Sequence, residues 1–202
     1  MATSMIDVNQ CPIEMEKQEF DYSQRSQWLR AAVLGANDGL VTISSLILGV
    51  GAVKDDPKSM ILTGFAGLVA GACSMAIGEF VSVYSQLDVK LAQMKREKKE
   101  EEEEDREKLP NPFQAALASA LAFVMGAVVP LLGAAFVREY RVRLGVVGAA
   151  TTAALVGFGW GGAVLGGSRV GRSCGRVVVG GWMAMGITFG LSKLIGLGGL
   201  EM

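Results

Sequence analysis

The chain has 202 residues, a formal net charge of −1 and a 50% hydrophobic composition, with 27 Gly and only 7% aromatic residues. Balanced charge gives no basic field for nucleic acid, and the lack of any His removes imidazole metal sites and Ser-His or Cys-His catalysis. Charge is too unevenly spread for a soluble domain: residues 109–137 and 144–168 carry no charged side chain, and residues 31–53 and 59–87 carry one each.

A bilayer core of roughly 30 Å takes about 20 mostly apolar helical residues. Five such segments fit, which predicts an all-α integral membrane protein. Residues 1–27 are polar and acidic and are expected to form a disordered cytosolic tail. No apolar stretch precedes the first span, so no cleaved signal peptide is expected. Residues 28–202 are expected to form one five-helix transmembrane domain, with spans at about 29–53, 60–87, 113–137, 144–167 and 177–197. Lys54-Asp55-Asp56-Pro57 makes the first turn. The second span runs without Gly or Pro into a charged segment, 88–112, rich in helix-forming Glu, Lys and Arg, so its helix is expected to extend into the cytosol. Pro110 and Pro112 end that run, and Pro130 sits inside the third span as an expected kink.

Lys and Arg set the orientation. With the N-terminus in the cytosol, thirteen of them fall on the cytosolic side and six on the other, so a cytosolic N-terminus is predicted. Cys11, Cys73 and Cys174 are far apart and show no CxxC spacing; Cys73 and Cys174, in or at the ends of expected spans, read as small packing residues.

Ionisable residues inside a span are costly and mark functional sites. Asp38 and Glu79 are the two that lie away from span ends. Counted along antiparallel helices from Arg30 and from Asp88, each lies roughly 12 Å deep, so they are expected to meet at one level. Each belongs to a polar stripe: Asp38, Thr42, Ser45 and Gly49 on the first helix, and Met75, Glu79, Ser82 and Gln86 on the second. Gly35-xxx-Gly39 and the row Gly67, Gly71, Ser74, Gly78 supply small residues for close helix packing. Carboxylate and hydroxyl oxygens suit a divalent cation, and the Met75 thioether biases the set toward a transition metal. Metal and protons would compete for the same carboxylates.

Plainer readings stand beside these. Asp38 can be a helix-packing residue bonded to Asn37, Thr42 or backbone, Glu79 can reach for the interface, and Met75 can be core. The run Glu97 to Lys108 can be a solvated helix extension or a cation collector.

Ala31-Ala32-Val33-Leu34-Gly35-Ala36-Asn37-Asp38-Gly39-Leu40-Val41 and Ser74-Met75-Ala76-Ile77-Gly78-Glu79-Phe80-Val81-Ser82-Val83-Tyr84-Ser85-Gln86 resemble the vacuolar iron transporter family, above all its plant, nodulin-like homolog branch. Similarity extends from about Gln27 to Leu200. The resemblance implies five membrane helices, a homodimer with the path between subunits, and exchange of Fe²⁺ for H⁺ across the vacuolar membrane. It carries the metal path onto Asp38, Met75 and Glu79. The family's larger cytosolic helical domain, rich in Glu and Met, is reduced here to about Asp88–Pro112 with Met94. Capture of metal is then expected to be weaker, to rely on the acidic helix, or to need a donor protein.

The leading expectation is a dimeric, proton-coupled transporter in membrane lipid that moves Fe²⁺, and also Mn²⁺, from cytosol to vacuole, with no resident cofactor and no catalytic residues. Gly35, Gly39, Gly67, Gly71 and Gly78 are assigned to helix packing and movement. The alternative is a membrane interaction or regulatory protein whose carboxylates only assemble helices. An enzyme is not expected, since no nucleophile-base pair is present.

Overall fold

The computed structural model describes residues 10–96, 111–167 and 169–198, with side chains from residue 30 onward. All its described elements are helices: α1 (Gln10–Gly51), α2 (Pro57–Arg96), α3 (Pro112–Phe136), α4 (Tyr140–Leu165) and α5 (Val170–Leu197). All five are long and apolar enough to cross a membrane.

Local chemistry explains the helix ends. Asp56 caps α2: its carboxylate accepts from the backbone N–H of Lys58 and Ser59 and from the Ser59 hydroxyl, with Pro57 as first helical residue. These hydrogen bonds, the Ser59 hydroxyl foremost, hold the Asp56 carboxyl below the usual carboxylate range. Asn111 caps α3 in the same way, accepting from Phe113 and Gln114 N–H. Past α4 the chain turns at Gly167, whose φ of +62° is left-handed and suits a residue without a Cβ.

The bundle alternates up and down. Val33, Ser44 and Gly51 of α1 lie against Gly162, Thr151 and Leu144 of α4, so those two run antiparallel. Gly64 and Gly71 of α2 meet Leu131 and Phe123 of α3, again antiparallel. Val41 and Gly49 of α1 meet Gly181 and Thr188 of α5, a parallel pair. α1 touches all four other helices and is the central one. Half of its apolar window (50%) is buried, against 11% for α2 and α5.

The residue distribution is that of a bundle in lipid. Leu62, Phe65, Leu121, Met125, Trp160 and Ile187 point outward, whereas Ser44, Ser119, Thr151 and Arg143 are buried beside Leu40, Ile43, Ile47 and Phe123. Lipid tails are as apolar as Leu, so close packing and internal hydrogen bonds hold the helices together.

Two expectations need correction. The tail expected over residues 1–27 meets a helix that already begins at Gln10; residues 1–9 lie outside the described ones. No Gly occurs from Gln10 to Leu34, Pro12 falls in the first turn where it is tolerated, and Glu14 to Glu19 are mostly helix formers. Arg143, which falls between the expected third and fourth spans, sits in the first turns of α4 and is buried to 1% exposure. The extension of α2 is seen as far as Arg96; the acidic stretch 97–108 lies outside the described residues.

Candidate functional site

Small residues bring α1 and α3 together at the level of Asp38. A Cβ on Gly35 would stand 2.7 Å from the Ser119 carbonyl oxygen, and one on Gly39 would collide with that of Phe123. Gly126 is equally tight against the Ala36 carbonyl. Asp38 itself faces the other way. It is exposed, in a row with Arg30 and Leu34, and its Oδ1 accepts a hydrogen bond of 3.0 Å from the Thr42 hydroxyl. The polar stripe beyond it turns inward, since Thr42 is half-buried and Ser45 and Gly49 are buried.

On α2, Met75, Glu79 and Gln86 are half-buried along the face that starts at Met60 and Gly64 and continues to Val83, while Ser82 is exposed. A Cβ on Gly71 would run into the Phe123 ring, and Met75, one turn on, packs against the cluster of Ile43, Ile47 and Phe123. Phe123 is therefore a wedge. Its backbone closes on α1 beside Asp38, and its ring closes on α2 beside Met75. Gly67 faces the side chains of Leu46 and Ile43, whereas the Cβ position of Gly78 meets nothing within 4 Å.

Asp38 and Glu79 do not share one depth. The pairs Gly51–Met60, Ile47–Gly64 and Ile43–Gly67 fix the α1/α2 register, which sets Asp38 level with about Cys73. Glu79 then lies about six residues, roughly 9 Å, nearer the end of the bundle, close to the level of Arg30. The register through α3 agrees, putting Glu79 near the first turn after Pro112. The equal-depth expectation took Asp88 as the membrane edge. Yet Phe80, Val81 and Tyr84 keep α2 apolar beyond the level where α1 meets Arg30 and α3 begins.

Inside the bundle, the Ser44 hydroxyl donates to the Leu40 carbonyl at 2.6 Å and is 2.6 Å from the Thr151 hydroxyl. Among the described residues, Asn37 Oδ1, Ser45 Oγ and Ser119 Oγ are buried without a hydrogen-bond partner. These oxygens, with the two carboxylates, are hard donors of the kind divalent cations take. Among the described residues no three Cys, Asp or Glu side chains gather into a metal-holding group.

Sequence reasoning missed Phe123 and the α3 face around it. The signal was present as Ala115-xxx-Ser119 and Ala122-xxx-Gly126, the small-residue spacing already noticed on α1 and α2. It also missed the Arg143 clamp. There the guanidinium donates 2.8 Å hydrogen bonds to the Val137 and Arg138 carbonyls and touches Met60 Sδ at 3.7 Å.

Comparison with known proteins gives the same answer over nearly the whole chain. The VIT family profile matches residues 29–109 and 100–193. Vacuolar iron transporter homolog 4 of Arabidopsis thaliana is 65% identical over 195 residues, covering 95% of this chain and 98% of that protein. Vacuolar iron transporter homolog 3 of the same plant is 68% identical over 191 residues, 93% of this chain and 94% of its own. Vacuolar iron transporter homolog 5 of Oryza sativa subsp. japonica is 61% identical over 182 residues, 90% and 87% respectively. The α1 and α2 motifs, the five-helix bundle and these matches agree: the chain belongs to the vacuolar iron transporter family, in its plant homolog branch.

Proposed function

We propose that the chain is a multi-pass protein of the vacuolar membrane that carries Fe²⁺ from the cytosol into the vacuole in exchange for protons. The relatives' names support iron and the vacuole. The observation that carries the mechanism is the position of Asp38. It stands within an apolar helix, exposed on the outside of the single chain, and its hydrogen bond is to Thr42 of the same helix. A carboxylate placed there ties no helices together, and facing lipid would cost several kcal/mol. The arrangement makes sense when a second copy covers that face and a hydrated path runs between the two.

A two-fold pairing would bring two Asp38 and two Glu79 to one axis. The stagger of about 9 Å makes them successive stations, Glu79 nearer the mouth and Asp38 deeper. With the N-terminus cytosolic, as the Lys/Arg bias favours, Glu79 meets the metal first. Both carboxylates bind either metal or proton, so metal leaving on the far side is replaced by protons and the pair returns neutral. Mn²⁺ shares the oxygen preference of Fe²⁺ and is carried as well. Met75 adds soft ligation from beside the Phe123 ring.

The rival reading, a regulatory membrane protein with structural carboxylates, also anticipates the Thr42 bond of Asp38; what favours transport over it is the exposure of Asp38 on the single chain. The test is uptake of Fe²⁺ and Mn²⁺ into vesicles containing the purified chain, with and without a pH gradient. Asp38→Ala and Glu79→Ala are expected to abolish metal-driven proton flux while the protein still folds. Met75→Leu, which keeps the packing and deletes the sulfur, is expected to lower iron uptake. Undiminished flux in both carboxylate variants would overturn the mechanism.

A further inference from the structure

On the outside of the bundle, α1, α4 and α5 enclose an open groove of about 650 Å³. It runs along α4 from Leu144 to Val156, a helical rise of roughly 18 Å. That is a little over half of a hydrocarbon core of about 30 Å, the depth of one leaflet. The groove exists because Gly145 and Gly148 carry no side chain, and a Cβ at either would meet nothing within 4 Å. Its wall is apolar. The one polar pair, Thr152 and Trp182, is satisfied internally: the Thr152 hydroxyl donates to the Gly148 carbonyl at 2.7 Å and accepts from Trp182 Nε1 at 3.0 Å.

One end of the groove is cationic. Arg141 is exposed in the first turn of α4, one and two turns before Gly145 and Gly148 on the same helix face. Lys193 is exposed near the end of α5, three turns beyond Trp182 on the same face of that helix. The contacts Gly51–Leu144 and Gly49–Ser192 bring those two helix ends to one level.

We propose that this groove is a binding site for one acyl chain of an anionic glycerophospholipid, with the phosphate held between Arg141 and Lys193. An apolar channel one leaflet deep with cations only at its polar end matches such a lipid in both halves. A second copy of the chain matches poorly: a two-fold contact centred here would set Arg141 and Lys193 against their own counterparts. The site is independent of the metal reading, since no residue of the proposed path lines it.

The experiment uses the full chain in detergent, with thermal unfolding and native mass spectrometry after adding phosphatidylglycerol, phosphatidylcholine or inorganic phosphate. Phosphatidylglycerol is expected to raise the unfolding temperature and to survive as a one-to-one adduct, and the other two are not. Gly148→Leu fills the groove without a backbone clash and is expected to lose the adduct while unfolding as the lipid-free wild type does. The double variant Arg141→Gln/Lys193→Gln touches only exposed side chains and is expected to weaken phosphatidylglycerol binding roughly tenfold or more. Equal retention of both lipids in all variants would overturn the proposal. So would a response to inorganic phosphate alone, or a Gly148→Leu chain that changes its oligomeric state and keeps the lipid.

Discussion

Gly39 of α1 lies directly under the backbone carbonyl of Phe123 in α3, close enough that a Cβ on Gly39 would collide with that oxygen. The obstacle is backbone, so no rotamer change relieves it. Gly39→Ala must push the helices apart, and with Gly126→Ala it is expected to cost roughly 1–3 kcal/mol each, the usual range for overpacking. Gly78→Ala, whose Cβ meets nothing within 4 Å, is expected to leave stability unchanged or slightly raised through helix propensity. Thermal unfolding in detergent, followed by Trp fluorescence, separates the two classes. Gly39→Ala melting with the wild type would mean that the α1–α3 seam is looser than described.

The hydrogen bond from Thr42 to Asp38 gives a finer test of the metal path. Thr42→Val keeps the shape and removes the donor that orients the carboxylate, so iron uptake is expected to fall several-fold with little loss of stability. Thr42→Ser restores the hydroxyl and is expected to restore most of the uptake. If Val and Ser behave alike, orientation of Asp38 by Thr42 plays no part.

Arg143 closes the opposite end of the bundle. It is 1% exposed, its two carbonyl partners lie just past the end of α3, and Tyr140 donates to the Gly51 carbonyl at the end of α1. A cation there also suits the negative end of the helix dipole. Arg143→Ala leaves a cavity and two under-satisfied carbonyls, so a loss of about 2–5 kcal/mol is expected. Arg143→Lys is expected to recover only a minor part, because a single ammonium cannot reproduce the planar fork. Full recovery in the Lys variant would reduce the role of Arg143 to charge alone.

Much of this architecture was legible in the sequence, for reasons that particular residues make plain. The charge-free stretches 109–137 and 144–168 admit only membrane helices, and Asp38 and Glu79 are conspicuous because their surroundings are so apolar. Periodicity on one helix says nothing about which helix it meets, and Gly35-xxx-Gly39 turned out to face Ser119 and Phe123 of α3. Depth was misjudged because it was counted from charges at helix ends, whereas the contacts of Gly51, Gly64 and Gly67 at the other end set the stagger. Arg143 was missed because it lies between the expected spans, although a guanidinium can be buried when carbonyls accept its hydrogen bonds.

The Asp56 cap allows a prediction with a definite sign. Its carboxyl is held below the ordinary value of 3.8 by hydrogen bonds from the Ser59 hydroxyl and from the Ser59 and Lys58 N–H groups. A depressed folded-state pKa means that the ionised cap contributes fully above the ordinary value and is lost as pH falls through the lower, folded one. Asp56→Ala is therefore expected to unfold a few degrees below the wild type, by the same margin at pH 7 and pH 5. That margin shrinks only below about pH 4. Ser59→Ala removes the largest contribution, so the folded value rises toward 3.8 and the pH window over which the cap is lost narrows from its lower end. Melting curves of the three proteins across this range provide the check, and a margin that already closes between pH 7 and pH 5 would contradict the assignment of the carboxylate as the cap of α2.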